Sequence, residues 1–319
     1  MIKFKIKAIW PILKKAGEGF IEHKAPRLSA SLAFYTIFSL GPMMLVILFF
    51  STLFWKRQAI EGIIYRNLSG FIGESPALQT QDIIKNAALT GSQFTIAISF
   101  IILILSATTV FTEMQTSMNV IWDLRIKKRR GWVRMIRSKL LSFSIVAGLG
   151  FLLLVSLIIN GLLDGFMGKL QENFPHTMIV MVYIIQLVIT LIVVGSLFAL
   201  IFKVLPHAVI RWKDVMPGAL FAGLLFMAGK FLISLYINNT NFGTSYGAAG
   251  SLIILLLWIY YSSVILYFGA EFTKAYALRF GAEIVPKEYA VIIKVVEVES
   301  RATTIQQNEQ IDHKELFKT

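Results

Sequence analysis

The sequence predicts an all-α polytopic membrane protein: six transmembrane helices, both termini cytoplasmic, and an amphipathic N-terminal helix lying in the membrane interface. Three observations carry this. Six apolar stretches each reach the roughly 20 residues that a 30 Å hydrocarbon layer requires. The chain is 56% apolar and 15% charged over 319 residues, which leaves a soluble fold no place to bury six apolar helices. Finally, Lys and Arg alternate in density between the stretches, in the manner of a protein with a cytoplasmic and an external face.

The six spans are Leu28–Trp55, Phe94–Glu113, Leu140–Leu163, Thr177–Val204, Val215–Ile237 and Ala248–Glu271. Seven Lys/Arg precede the first span, eight fall in 125–139, three in 203–213 and three in 272–290. The alternate segments hold four in 56–93, one in 164–176 and none in 238–246. The richer set marks the cytoplasm, so the net charge of +13 reads as orientation before it reads as nucleic-acid binding. The predicted organisation is a basic amphipathic arm over residues 1–27, a membrane domain over 28–280 and a polar, partly disordered cytoplasmic tail over 281–319. The absence of cysteine removes disulfides and thiolate metal sites. The N-terminus does not read as a signal peptide, because its charged arm is long and Lys56 and Arg57 follow the first apolar run like a stop.

In the arm, Ile6, Ile9, Leu13, Ala16 and Phe20 recur at helical spacing, with Pro11 bending or restarting the helix. In the first span, Pro42 removes a backbone donor and opposes the carbonyl of Phe38, so a kink is expected there. Residues 56–93 predict one or two short external helices. The second span carries Ser106, Thr109, Glu113 and Thr116 at three- and four-residue spacing, with Thr112 and Asn119 beside them, which turns one side toward protein or water. In the fifth span, Gly218, Ala219, Ala222 and Gly223 form overlapping small-xxx-small pairs suited to close helix packing within the chain. Residues 288–298 fit a short strand or a short helix equally.

The ionisable groups in the spans are the candidate sites. Glu113 and Glu271 lie toward the cytoplasmic face. Two readings are open: a proton or cation site in a cavity, or structural carboxylates paired with Arg27 or interfacial Lys, the second being the simpler. Lys230 lies about two turns before the external end of the fifth span, where it either snorkels outward or faces a cavity with Asn160 and Asp164 as partners. The run containing Lys127, Lys128, Arg129, Arg130 and Arg134 is explained by topology and contact with anionic lipid headgroups. RNA binding is disfavoured, since only Trp132 stands there to stack on bases. His23, His176, His207 and His313 are scattered without metal-ligand spacing, and Gly247-Ala248-Ala249-Gly250-Ser251 lacks a phosphate-binding Lys. No metal, cofactor or enzymatic activity is expected. The expected partner is the bilayer, and the oligomeric state stays open.

The same stretches resemble the YihY/BrkB membrane proteins. The resemblance rests on Arg27-Leu28-Ser29-Ala30-Ser31-Leu32-Ala33-Phe34-Tyr35 with Gly41-Pro42, Asn119-Val120-Ile121-Trp122, Leu205-Pro206, Trp212-Lys213-Asp214-Val215 and Pro217-Gly218-Ala219. It continues in Tyr246-Gly247-Ala248-Ala249-Gly250, Leu257-Trp258-Ile259-Tyr260 and Gly269-Ala270-Glu271. It covers roughly residues 15–280. It implies a six-helix protein of the bacterial inner membrane, linked in other members to serum resistance and envelope integrity, and presumed to transport. Members have carried the label ribonuclease BN, which this sequence does not support, having no ligand cluster for metal-assisted phosphodiester hydrolysis. The leading expectation is a transporter of an amphiphile or lipid-linked solute, and the alternative is an envelope scaffold without transport.

Overall fold

A computed structural model describes residues 9–54, 93–127, 176–238, 248–281 and 283–293. Six helices lie in these segments: α1 Ile9–Glu22, α2 Ala25–Phe54, α3 Gln93–Ile121, α4 His176–Val204, α5 Trp212–Asn238 and α6 Ala248–Phe280. Four short strands accompany them: β1 Leu124–Ile126, β2 Ala208–Val209, β3 Val285–Pro286 and β4 Ala290–Ile292. The predicted third span, the external segment 56–92, Asn160, Asp164, Lys128, Arg129, Arg130, Arg134 and the tail beyond 293 lie outside the described residues.

Helices α3 to α6 contain the predicted second, fourth, fifth and sixth spans, and α2 covers the first as far as Phe54. Among the described residues, three stretches are long and apolar enough to cross a membrane: Ile101–Ile121, Leu187–Val204 and Leu255–Phe280. Pro42 lies inside the uninterrupted α2.

Helix α6 is the hub. It packs against α1, α2 and α5, and more lightly against α3, while α2 pairs with α3 and α4 with α5. The shared core includes Leu32, Phe111, Met118, Ile121, Phe198, Phe202, Val215, Ile265, Leu266 and Tyr267. Small residues set the α5–α6 distance. Gly218 and Ala222 lie on one face of α5, and a Cβ on Gly218 would run into Thr273 of α6. From the other side, a Cβ on Gly269 would stand 2.7 Å from Ala222. Gly223 instead approaches α4 at Leu191 and Gly195. The predicted small-xxx-small pairs thus serve two neighbouring helices of the same chain, in the manner of close-packed apolar bundles.

The apolar stripe of α1 is largely covered by protein. Ile12 and Ala16 pack on Phe272, Ala275 and Tyr276 of α6, and Phe20 meets the ring of Phe268 edge-on at 5.5 Å. Trp10 and Ile21 remain exposed. The periodicity in the arm therefore marks a helix–helix seam along part of its length.

The strands were open in the sequence. β1 pairs antiparallel with β4, Arg125 opposite Val291, and β2 pairs antiparallel with β3, Ala208 opposite Pro286. The segment after α6 thus folds back onto the connections that follow α3 and α4. All these junctions lie at one end of the assembly, where α3, α4 and α6 finish and α2 and α5 begin.

Candidate functional site

The polar groups of that end form two buried nodes. The first is built around His23. Helix α1 stops at Glu22, and the two-residue turn His23-Lys24 reverses the chain into α2. Lys24 takes a left-handed conformation (φ 53°), and its N–H donates to the Ile21 carbonyl at 3.0 Å. Pro26 follows in the first turn of α2, where a missing N–H costs nothing. The turn holds the imidazole against α6. Gly19, one turn earlier, lets α1 approach, since a Cβ there would lie 2.5 Å from Oε2 of Glu271.

His23 Nδ1–H donates to Glu271 Oε1 at 2.6 Å, and Nε2–H donates to Asp123 Oδ1 at 3.2 Å. Both ring nitrogens face carboxylate oxygens, and only the imidazolium can donate from both. The Glu271 hydrogen bond is accordingly the main cause that raises the His23 pKa above the ordinary 6.5, against a lowering by burial; the Glu271 charge adds to the rise and Lys274 opposes it. Asp123 ends the α3 segment in a left-handed conformation (φ 53°), which a short polar side chain tolerates. Its second oxygen accepts from Lys274 Nζ at 2.5 Å. Lys274 stands one turn beyond Glu271 on α6, so two carboxylates and two cations alternate in a compact neutral cluster. Glu271 is 2% exposed. The Asp123 carboxylate is 44% exposed, so its pairs are partly screened by solvent.

The second node joins α3 to the link between α4 and α5. Asn119 Oδ1 accepts from the His207 backbone N–H at 3.0 Å, and its amide Nδ2–H donates to His207 Nδ1 at 2.9 Å. Both residues are buried. The Tyr289 ring lies edge-on to the His207 imidazole at 5.2 Å, and the Lys287 N–H donates to the His207 carbonyl at 2.9 Å. Burial pushes the Lys287 amine below its usual pKa, and Lys203 adds to that. The Ile293 N–H donates to the Asp123 carbonyl at 2.8 Å, which ties the two nodes through the β1–β4 pair.

The sequence candidates are thus redistributed. Glu271 takes His23 as partner, whereas Arg27 is exposed. Asn119 belongs to the His207 node. Glu113 is half-buried and Thr116 exposed, and the packed face of α3 is the one carrying Phe111, Met118 and Ile121. The hydroxyls of Thr108, Thr109 and Thr112 turn back to carbonyls of their own helix. Of the polar stripe expected to face protein or water, Thr109 is thus satisfied by α3 itself, as is Thr112 beside it. Lys127 is exposed and donates to the Glu288 carbonyl at 3.2 Å. The side chains of Pro42 and Lys230 lie outside the description. His23 and His207, scattered in the sequence, anchor the two nodes, and Asp123, absent from the sequence candidates, directly follows Asn119-Val120-Ile121-Trp122. Among the described residues, no group of three metal-ligating side chains is placed to hold a metal ion.

An open cleft of about 120 Å³ exposes one side of the first node, lined by Lys15, Glu18, Glu22, His23, Glu271 and Lys274 among others. The arrangement can bind and release a proton at an imidazole wedged between two carboxylates, or it can simply lock four helix ends together.

Apolar helices of this length around a buried charged cluster define a helical membrane protein. Residues 16–291 match the family model described as virulence factor BrkB, and the chain belongs to that family. It is 30% identical over 274 residues to a UPF0761 membrane protein of Tolumonas auensis, spanning 78% of this chain and 80% of that one. It is 27% identical over 258 residues to a UPF0761 membrane protein of Pseudomonas paraeruginosa, covering 79% of this chain but 59% of the relative's length. A relative in Pseudoalteromonas translucida is 28% identical over 256 residues, with 76% and 78% covered. No solved structure matches.

Proposed function

We propose that this chain is a non-enzymatic protein of the bacterial plasma membrane that moves an amphiphilic or lipid-linked solute. The end that carries the His23 and His207 nodes faces the cytoplasm in this reading, as the Lys/Arg distribution requires. One observation carries the proposal: Glu271, ionisable and 2% exposed near the end of a long apolar helix, is bonded to a histidine beside an open cleft. Ionisable groups held within membrane helices are costly, and where retained they commonly serve proton or solute movement. Protonation changes at His23 would then loosen or tighten the cytoplasmic closure.

A second reading, an envelope scaffold, is favoured by the Asn119–His207 pair, which is buried and satisfied on both sides. Reconstitution separates the two. Liposomes carrying the full chain are assayed for transfer of a fluorescent phospholipid analogue between leaflets and for flux across a panel of amphiphiles, with Glu271→Gln as comparison. Transfer that depends on Glu271 supports transport. Folded protein that transfers nothing across the panel supports the scaffold.

A further inference from the structure

A second cavity lies beside the first, further toward the start of α1. It occupies about 350 Å³ between α1 and the end of α6, and it is lined by Pro11, Ile12, Lys15, Ala275, Leu278 and Arg279. Four of these six are apolar and two are cationic; none is acidic. The neighbouring cleft mixes both signs, with Glu18, Glu22 and Glu271 beside Lys15, His23 and Lys274 in its wall. Along the α1–α6 seam the carboxylates are thus confined to the cleft, while the cavity beside it presents cations alone.

Exposed apolar side chains accompany the lining: Leu278 belongs to it, and Trp10 and Phe280 adjoin Pro11 and Arg279 in the chain. Trp10 is 70% exposed, Leu278 56% and Phe280 53%. Arg279 lies with its guanidinium carbon 5.5 Å from the Phe280 ring centre. In water such exposure is unfavourable. At a membrane surface, however, a tryptophan and neighbouring aliphatic groups sit at headgroup level with acyl chains beside them, and paired cations meet phosphates.

We infer that the groove framed by Lys15 and Arg279 is a binding site for the headgroup of an anionic phospholipid, with Trp10, Leu278 and Phe280 beside it at headgroup level and the acyl chains running from there toward the bilayer. The site needs only that the chain resides in a membrane, and it stands or falls independently of solute transfer. The bound lipid would join α1 to α6 from outside, on the seam whose inner side is closed by His23 and Glu271.

The test uses the full chain in nanodiscs of phosphatidylglycerol mixed with phosphatidylcholine, with retained lipid counted by native mass spectrometry after transfer to detergent. Each removed charge should weaken retention of phosphatidylglycerol about five-fold. The Lys15→Gln/Arg279→Gln double variant should therefore lose it, Arg279→Lys should keep it, and Lys14→Gln/Lys24→Gln, which removes two nearby exposed charges, should leave it unchanged. Both target side chains are exposed, so the core is untouched. Equal loss in the two double variants would reduce the effect to diffuse charge and overturn the site, as would undiminished retention in Lys15→Gln/Arg279→Gln. Displacement of the lipid by an equal concentration of inorganic phosphate or glycerol phosphate would also overturn it, since the acyl chains would then contribute nothing.

Discussion

Glu271 and His23 are separated by 248 positions in the chain, yet their carboxylate oxygen and imidazole nitrogen lie 2.6 Å apart. This single contact fastens α1, and with it the start of α2, to the end of α6. Removing either partner leaves the other in a largely buried place and short of a hydrogen bond. Glu271→Gln should destabilise the protein by about 2 kcal/mol. The check is the thermal midpoint in detergent, with faster amide hydrogen exchange expected through residues 9–24.

The same contact sets a pH dependence. Its folded-state imidazole pKa lies above the ordinary 6.5, so its stabilisation is fully present below that value and is lost as pH rises through the raised one. Loss of the proton also leaves Glu271 and Asp123 balanced by Lys274 alone. Hydrogen exchange in α1 should therefore accelerate beyond its intrinsic base-catalysed rise as pH moves from about 6 to about 9. His23→Gln should flatten that extra acceleration, while Glu18→Gln, at the edge of the cleft, should retain it.

Asn119 is the second point of failure. Its amide serves the backbone and the ring of His207 together, and Asn119→Leu strands both in a buried place. The expected cost is about 2–3 kcal/mol. Loss of the β2–β3 pair should accompany it, since Lys287 donates to the His207 carbonyl, and exchange at the Lys287 and His207 amides reports this directly.

Close packing on α5 gives a steric contrast. Gly218→Ala places a methyl group into Thr273 and should cost about 1–3 kcal/mol by forcing α5 from α6. Gly17→Ala on α1 meets nothing within 4 Å and should be neutral or stabilising by up to about 1 kcal/mol, because alanine is the better helix former. Thermal melting of the two variants side by side distinguishes tertiary clash from helix propensity.

The apolar runs made the five described long helices legible, because burial in a bilayer or bundle demands long uninterrupted hydrophobic segments whatever their neighbours. Glu271 and Asn119 stood out for the same reason, as polar groups on otherwise apolar helices. Their partners did not. Arg27 looked suited to Glu271 because it is charged and near the right depth, yet His23 is the residue that the α1–α2 turn carries onto α6. No local spacing announces a contact between distant segments. One signal bears on it: His23 and Asp123 both fall in segments that the Lys/Arg distribution assigns to the same side, and the helix that the sequence ends at Glu113 runs on to Ile121, just before Asp123. The strands escaped because two or three residues are too few to display a period, and their pairing is decided by the return of the segment after α6.

That return has a consequence for how the protein is made. β1 and β2 leave the ribosome long before β4 and β3, their respective partners, exist. At about 5–20 residues per second, β1 waits on the order of ten seconds or more for β4. Throughout that interval His207 lacks its bond from Lys287, and Asp123 lacks the cation from Lys274. This end of the bundle is therefore sealed last, in one late step that begins with α6 and finishes at Ile293. A nascent chain arrested within α6 would hold its earlier helices with that end still open, a state in which membrane quality-control proteases could reach it.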